Sequence, residues 1–271
     1  MLLRLLPLAL AFGIAAPLVG GEPPKKVLLV GSPPDGHPAE THEYTAGVGL
    51  VARLLRPVSG VEVTVATAEG PWKNGPELIG RSDCVLLFLT EGAQWVSADE
   101  KRLAAFRQLA RRGGGLACLH WGMGTREAGP IEAFVDLFGG CHGGPDRQYK
   151  VVQATVRAAD PQHPVSAGIK DFTVREEFYY RLKLAKAGGG VKPVLHVDID
   201  GNRETVAWAW DRPDGGRSFG FSGLHFHDNW RRAEYRRLVA QGVLWAAKVP
   251  VPAQGLGVTL AEADYALPAK K

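Results

Sequence analysis

The chain has 271 residues, 45% hydrophobic and 22% charged, a balance that excludes disorder and suits one α/β domain with a full core. Its 32 Lys and Arg stand against 28 Asp and Glu, and the small excess lies scattered in pairs such as Arg231-Arg232 and Arg236-Arg237. That excludes the basic stripe of a nucleic-acid binder, and the odd count of three cysteines argues against a disulfide framework.

In chain order, Met1 to Gly21 reads as a signal peptide: Arg4, an apolar run from Leu5 to Val19, then small residues suited to cleavage. No later run is long enough to span a bilayer, so the expectation is a periplasmic or secreted protein without stable membrane insertion. The domain then covers residues 22–252. Lys26–Gly31, Val61–Thr67, Cys84–Leu89 and Leu116–Leu119 are short apolar runs of the kind buried on both faces of a parallel sheet.

Between them Glu43–Leu55 and Ala98–Arg111 carry helical periodicity, the second with Ser97 and Glu100 at capping-box spacing. This alternation predicts a doubly wound, flavodoxin-like parallel sheet. Lys150–Arg157, Leu182–Ala185, Val191–Asp198 and Glu204–Trp210 are strand-like with little helix between them, which predicts an antiparallel or mixed extension. A strand Ser218–Ser222 and a helix Arg232–Ala247 return to the main sheet, and residues 253–271 read as a loose C-terminal tail.

Ligands of open α/β sheets bind beyond the carboxyl ends of the strands, so chemistry is sought in the residues that follow each run. Five of the eight histidines fall there: His37 and His42 after the first strand, His120 after the fourth, His225 and His227 after the late strand. Imidazole is the commonest metal ligand and titrates nearest neutral pH, so the cluster fits either a divalent-metal site or acid–base catalysis. The candidate metal ligands are His37, His42, His225 and His227, with no Cys-based or His-Glu-x-x-His zinc spacing to fix the choice.

Cys118-Leu119-His120-Trp121-Gly122 reads as a strand-to-helix elbow that presents His120 and buries the Cys118 thiol, which disfavours covalent catalysis. His120 is therefore the candidate base, with Glu177 or Glu43 as the acid. Arg175-Glu176-Glu177-Phe178-Tyr179-Tyr180 sets carboxylates beside aromatic rings, where an acid's pKa rises. Trp121, Trp230, Asn229, His142 and Tyr179 are the candidate substrate contacts. His163 belongs to a turn and His196 to strand packing.

Together these segments resemble the ThuA-like, or trehalose utilisation, family with its class I glutamine-amidotransferase-like fold. The resemblance spans about residues 26–252. It rests on Gly36-His37-Pro38 with His42-Glu43-Tyr44, Gly115 to His120, His163 to Gly168, Glu176 to Tyr179, and Gly216 to Phe221 through His225 to Trp230. It implies an amidotransferase-like scaffold without the Cys-His-Glu triad, and Leu224 stands where the family resemblance leads one to expect glycine.

The resemblance further implies a role in carbohydrate use. The expected activity is cleavage or rearrangement of an oxidised (3-keto) glycoside, a hydrolase or lyase reaction, on a substrate supplied by an upstream sugar 3-dehydrogenase. The rival expectation is a non-catalytic carbohydrate-binding module in which Trp121 and Trp230 stack on sugar faces.

Overall fold

The computed structural model describes residues 22–68 and 72–267, so the Met1–Gly21 segment lies outside the described residues. The chain opens with β1 (Lys25–Gly31), α1 (Tyr44–Leu55), β2 (Val61–Thr67), α2 (Gly75–Gly80), β3 (Cys84–Phe88), α3 (Gly92–Ser97), α4 (Glu100–Arg111) and β4 (Gly115–Leu119). It continues through β5 (Gly124–Thr125), α5 (Ile131–Phe138), β6 (Gly140–Gly143), β7 (Gln148–Ala158), β8 (Phe172–Tyr180) and β9 (Lys183–Leu184). β10 (Lys192–Ile199), β11 (Asn202–Asp211), β12 (Arg217–Phe221) and α6 (Ala233–Ala246) complete it.

Nine strands form one sheet in the order β2-β1-β3-β4-β12-β11-β10-β7-β8. The first five run parallel in flavodoxin order, and the last four add antiparallel neighbours. This is the expected doubly wound sheet with its extension. β3 and β4 are buried at every position, which only apolar residues on both faces tolerate. α1 buries Tyr44, Val48, Val51 and Leu55, three or four residues apart, against the sheet.

Two expectations are corrected, and one strand is added to them. The helix read as starting at Ala98 starts at Glu100, and Asp99, not Ser97, caps it by accepting the Arg102 N–H at 2.7 Å. Arg175–Tyr180, to which the sequence reading assigns no element, lies in a nine-residue edge strand, β8, paired along its length with β7. The tail is docked over residues 255–265. Leu256 N–H donates to Gln241 Oε1 at 2.7 Å, Arg236 donates to Val258 O, and Val258 and Tyr265 are buried. Among the described residues no helix is long and apolar enough to cross a membrane.

The strand order reverses between β1 and β3, and the loops leaving β1, β3, β4 and β12 all open at that carboxyl edge. β6 and β8 close the cleft from the side, so residues nearly 200 positions apart in sequence meet there.

Candidate functional site

The site begins at the β4 elbow. His120 takes a left-handed φ of 46°, and behind it Gly92 and Gly122 approach so closely that a Cβ on Gly92 would lie 2.0 Å from Gly122 O. The strained backbone aims His120 at the cleft, where it is fully buried. Its Nδ1–H donates to the Ser222 carbonyl at 2.8 Å, which leaves Nε2 as the acceptor nitrogen, with the Tyr179 hydroxyl 3.0 Å away. Cys118 is buried in β4 and burial pushes its thiol well above the ordinary range, as the elbow reading expects.

His42 is oriented in the same way by a carboxylate. Burial opposes ionisation of Asp35, yet hydrogen bonds from His42, Tyr44 and His37 outweigh it and hold the carboxyl well below the usual range. Asp35 Oδ2 accepts from His42 Nδ1–H at 2.9 Å and Tyr44 O–H at 2.7 Å, and Oδ1 accepts from His37 Nδ1–H at 2.6 Å. An ionised carboxylate can only accept, so the free nitrogen of His42 is Nε2.

The two free nitrogens face each other. His42 Nε2 and His120 Nε2 stand 3.0 Å apart, His225 Nδ1 is 3.3 Å from the latter, and Glu177 Oε1 lies 3.5 Å from His225 and 3.8 Å from His120. Burial, reinforced by the neighbouring imidazoles, keeps His120 well below the normal histidine pKa and lowers His225 to about 3. A shared proton is thereby disfavoured, and the acceptor nitrogens of His42 and His120 are turned toward each other.

The residues fit a divalent metal. Two ligand nitrogens about 2.1 Å from a tetrahedral ion stand roughly 3.4 Å apart, close to what the three imidazoles offer. Asp35 and the Ser222 carbonyl fix their tautomers as outer-shell partners of metal ligands do.

Above this cluster is a small cleft of about 140 Å³ whose walls include Trp121, His142, Tyr149 and Tyr179. His142 and Tyr179 stack with centroids 3.8 Å apart, and Tyr179 O–H donates to His120 Nε2 at 3.0 Å. His37, Arg126, Arg147 and Glu177 supply its polar rim. Burial raises Glu177 to about 7.

Of the residues singled out in the sequence, His37, His42, His120, His225, Glu177, Trp121, His142 and Tyr179 therefore converge. Four do not. His227 donates from Nε2 to Tyr265 O at 3.1 Å, beneath the docked tail. Glu43 accepts the Glu40 N–H at 3.2 Å and shapes the loop. Trp230 is buried in the core, edge-on to Phe88. Asn229 holds Glu176 at 2.9 Å.

Asp35 and Glu176 were missed as site residues. Asp35 sits in a Pro-Asp-Gly stretch whose turn signal hides it. Glu176 neighbours Glu177, but alternation along β8 turns it inward. There its fully buried carboxylate accepts from Leu224 N–H at 2.9 Å, His225 N–H at 3.1 Å and Asn229. Leu224, at a left-handed φ of 80°, is thus pinned with its N–H to a carboxylate and away from any ligand. Burial raises Glu176 to about 7 against the lowering effect of these donors.

The pattern of the trehalose utilisation (ThuA) family matches residues 29–246, a span that contains every residue of this cluster. The chain belongs to the ThuA family. This ThuA-family chain is similar in structure to a ThuA-like protein of Bacteroides uniformis ATCC 8492, at 14% identity and TM-score 0.64, covering 86% of this chain and 95% of that one. A ThuA-like protein of Parabacteroides merdae ATCC 43184 aligns at 15% identity and TM-score 0.59, covering 90% and 100%. No curated protein sequence matches it. ThuA membership ties the chain broadly to carbohydrate utilisation.

Proposed function

We propose that this ThuA-family protein is an exported, divalent-metal-dependent enzyme that cleaves an oxidised (3-keto) glycoside, delivered by a sugar 3-dehydrogenase acting upstream. The observation that supports it most is the pair of buried imidazole acceptors, His42 Nε2 and His120 Nε2, facing each other at 3.0 Å beside the carboxylate of Glu177. His42, His120 and His225 would hold the cation, which when bound supplies Lewis-acid polarisation of a substrate oxygen.

His120 is too enclosed to meet a substrate proton, which moves it from base to ligand. Glu177 takes the base role because it is the carboxylate lining the cleft. A ketone at C3 acidifies the C2–H bond. Glu177 accepts that proton, the C–H electron pair forms the C1–C2 double bond, and the C1–O bond breaks with its electrons on the departing oxygen. The protonated Glu177 then returns the proton to that oxygen, and water adds across the double bond in a second step.

Trp121 and Tyr149 offer ring faces for the sugar. The binding-module alternative loses Trp230, one of its two stacking rings, to the core. The test is a product screen on matched 3-keto and unoxidised disaccharides, with metal-loaded and chelator-treated protein. Turnover of the keto sugar by the loaded protein alone is expected. Equal turnover of both sugars, or full turnover without metal, would reject the reading.

A further inference from the structure

We propose that the substrate carries an anionic group, a carboxylate or a phosphate, and that Arg147 is the residue that receives it. This rests on the cleft being the sugar site and extends that reading to the substrate class.

The argument is a matching of charges around the cleft. Arg126 is neutralised by an ion pair with Glu91 and lies over the Trp121 ring. Asp35 is taken by donors from His37, His42, Tyr44 and Thr90, and Glu177 faces the imidazoles. Arg147 has no such match. Among the described residues no carboxylate lies within 4.0 Å of its guanidinium, whose one hydrogen bond goes from Nη1 to the Gly144 carbonyl at 3.2 Å. A guanidinium presents five donors in a planar fork suited to carboxylate or phosphate oxygens, so most of this fork is unspent at the mouth of the cleft.

The loop that carries Arg147 is also fixed in place. Lys183 Nζ donates to Gly143 O at 2.5 Å and to Asp146 Oδ1 at 2.7 Å, tying the turn before Arg147 to β9. The charge is felt inside the cleft, since burial and then Arg147 depress the pKa of His142. A half-buried, anchored guanidinium beside an aromatic wall, facing a cleft of about 140 Å³, suits an acidic group on a monosaccharide-sized ligand.

The test is calorimetric titration of metal-loaded protein with methyl glucoside, glucuronate and glucose 6-phosphate. At least one of the two anions is expected to bind tenfold or more tightly than the neutral glycoside. A glucuronate preference assigns a carboxylate and a glucose 6-phosphate preference assigns a phosphate. In Arg147→Gln the preference should vanish while metal content and affinity for methyl glucoside stay unchanged, and Arg147→Lys should restore part of it.

The same preference should survive chelation of the wild type, which separates this inference from failure of the metal reading. Equal binding of the three ligands, binding of none, or a preference that persists in Arg147→Gln would overturn it.

Discussion

The Nε2 atoms of His42 and His120 stand 3.0 Å apart, although each ring's other nitrogen already donates to an acceptor, Asp35 for one and Ser222 O for the other. Neither can offer the other a proton. This pairing ties the loop after β1 to the elbow after β4, and the proposed cation site rests on it.

His225 and His227 are two residues apart and chemically alike, but only His225 faces the cluster. His225→Ala is expected to weaken Zn²⁺ binding by at least ~100-fold, more than the loss typical of outer-shell changes. His227→Ala should leave it unchanged. Calorimetric titration of both variants decides the point, and equal losses would count against the assignment.

Asp35 sets the tautomer of His42 without facing the other imidazoles. Asp35→Asn keeps the size of the side chain but removes the charge that holds Nδ1 protonated, so metal affinity should fall roughly 10–100-fold. Circular dichroism should remain native. An affinity equal to wild type would show that His42 needs no such partner.

Glu176 holds the backbone that carries His225. In Glu176→Gln one oxygen becomes an amide facing N–H donors, so stability should drop by about 2 kcal/mol, read from urea denaturation. Metal affinity should fall with it. Wild-type metal affinity in a folded Glu176→Gln protein would remove Glu176 from the site's support.

Much of this was legible in the sequence, and the gaps have physical causes. The parallel strands were readable because burial on both faces demands unbroken apolar runs such as Val27–Val30. β8 was not, because an edge strand that places Glu177 in a cleft and Glu176 against a loop carries polar residues on both faces. Position after a strand end found His42, His120 and His225. It could not separate His225 from His227, since the direction of a loop side chain is set by contacts with distant segments, here the Tyr265 carbonyl.

Burial, with smaller contributions from Arg147 and Lys183, lowers His142 to about 3, against 6.5 unperturbed. Below pH 6.5 the unfolded chain therefore binds a proton that the folded chain refuses, and stability falls as pH drops from 6.5 towards 3. Lowering the pH from 7 to 5 should cost the wild type about 2 kcal/mol more than His142→Phe, which keeps a ring against Tyr179. Parallel urea curves for the two proteins at both pH values would contradict this.

The most direct test of the central claim is titration of chelator-treated protein with Zn²⁺ in a calorimeter. The imidazole pair predicts saturable binding of one ion per chain, with Zn²⁺ held by His42, His120 and His225. A titration showing no stoichiometric binding by the folded protein would contradict it.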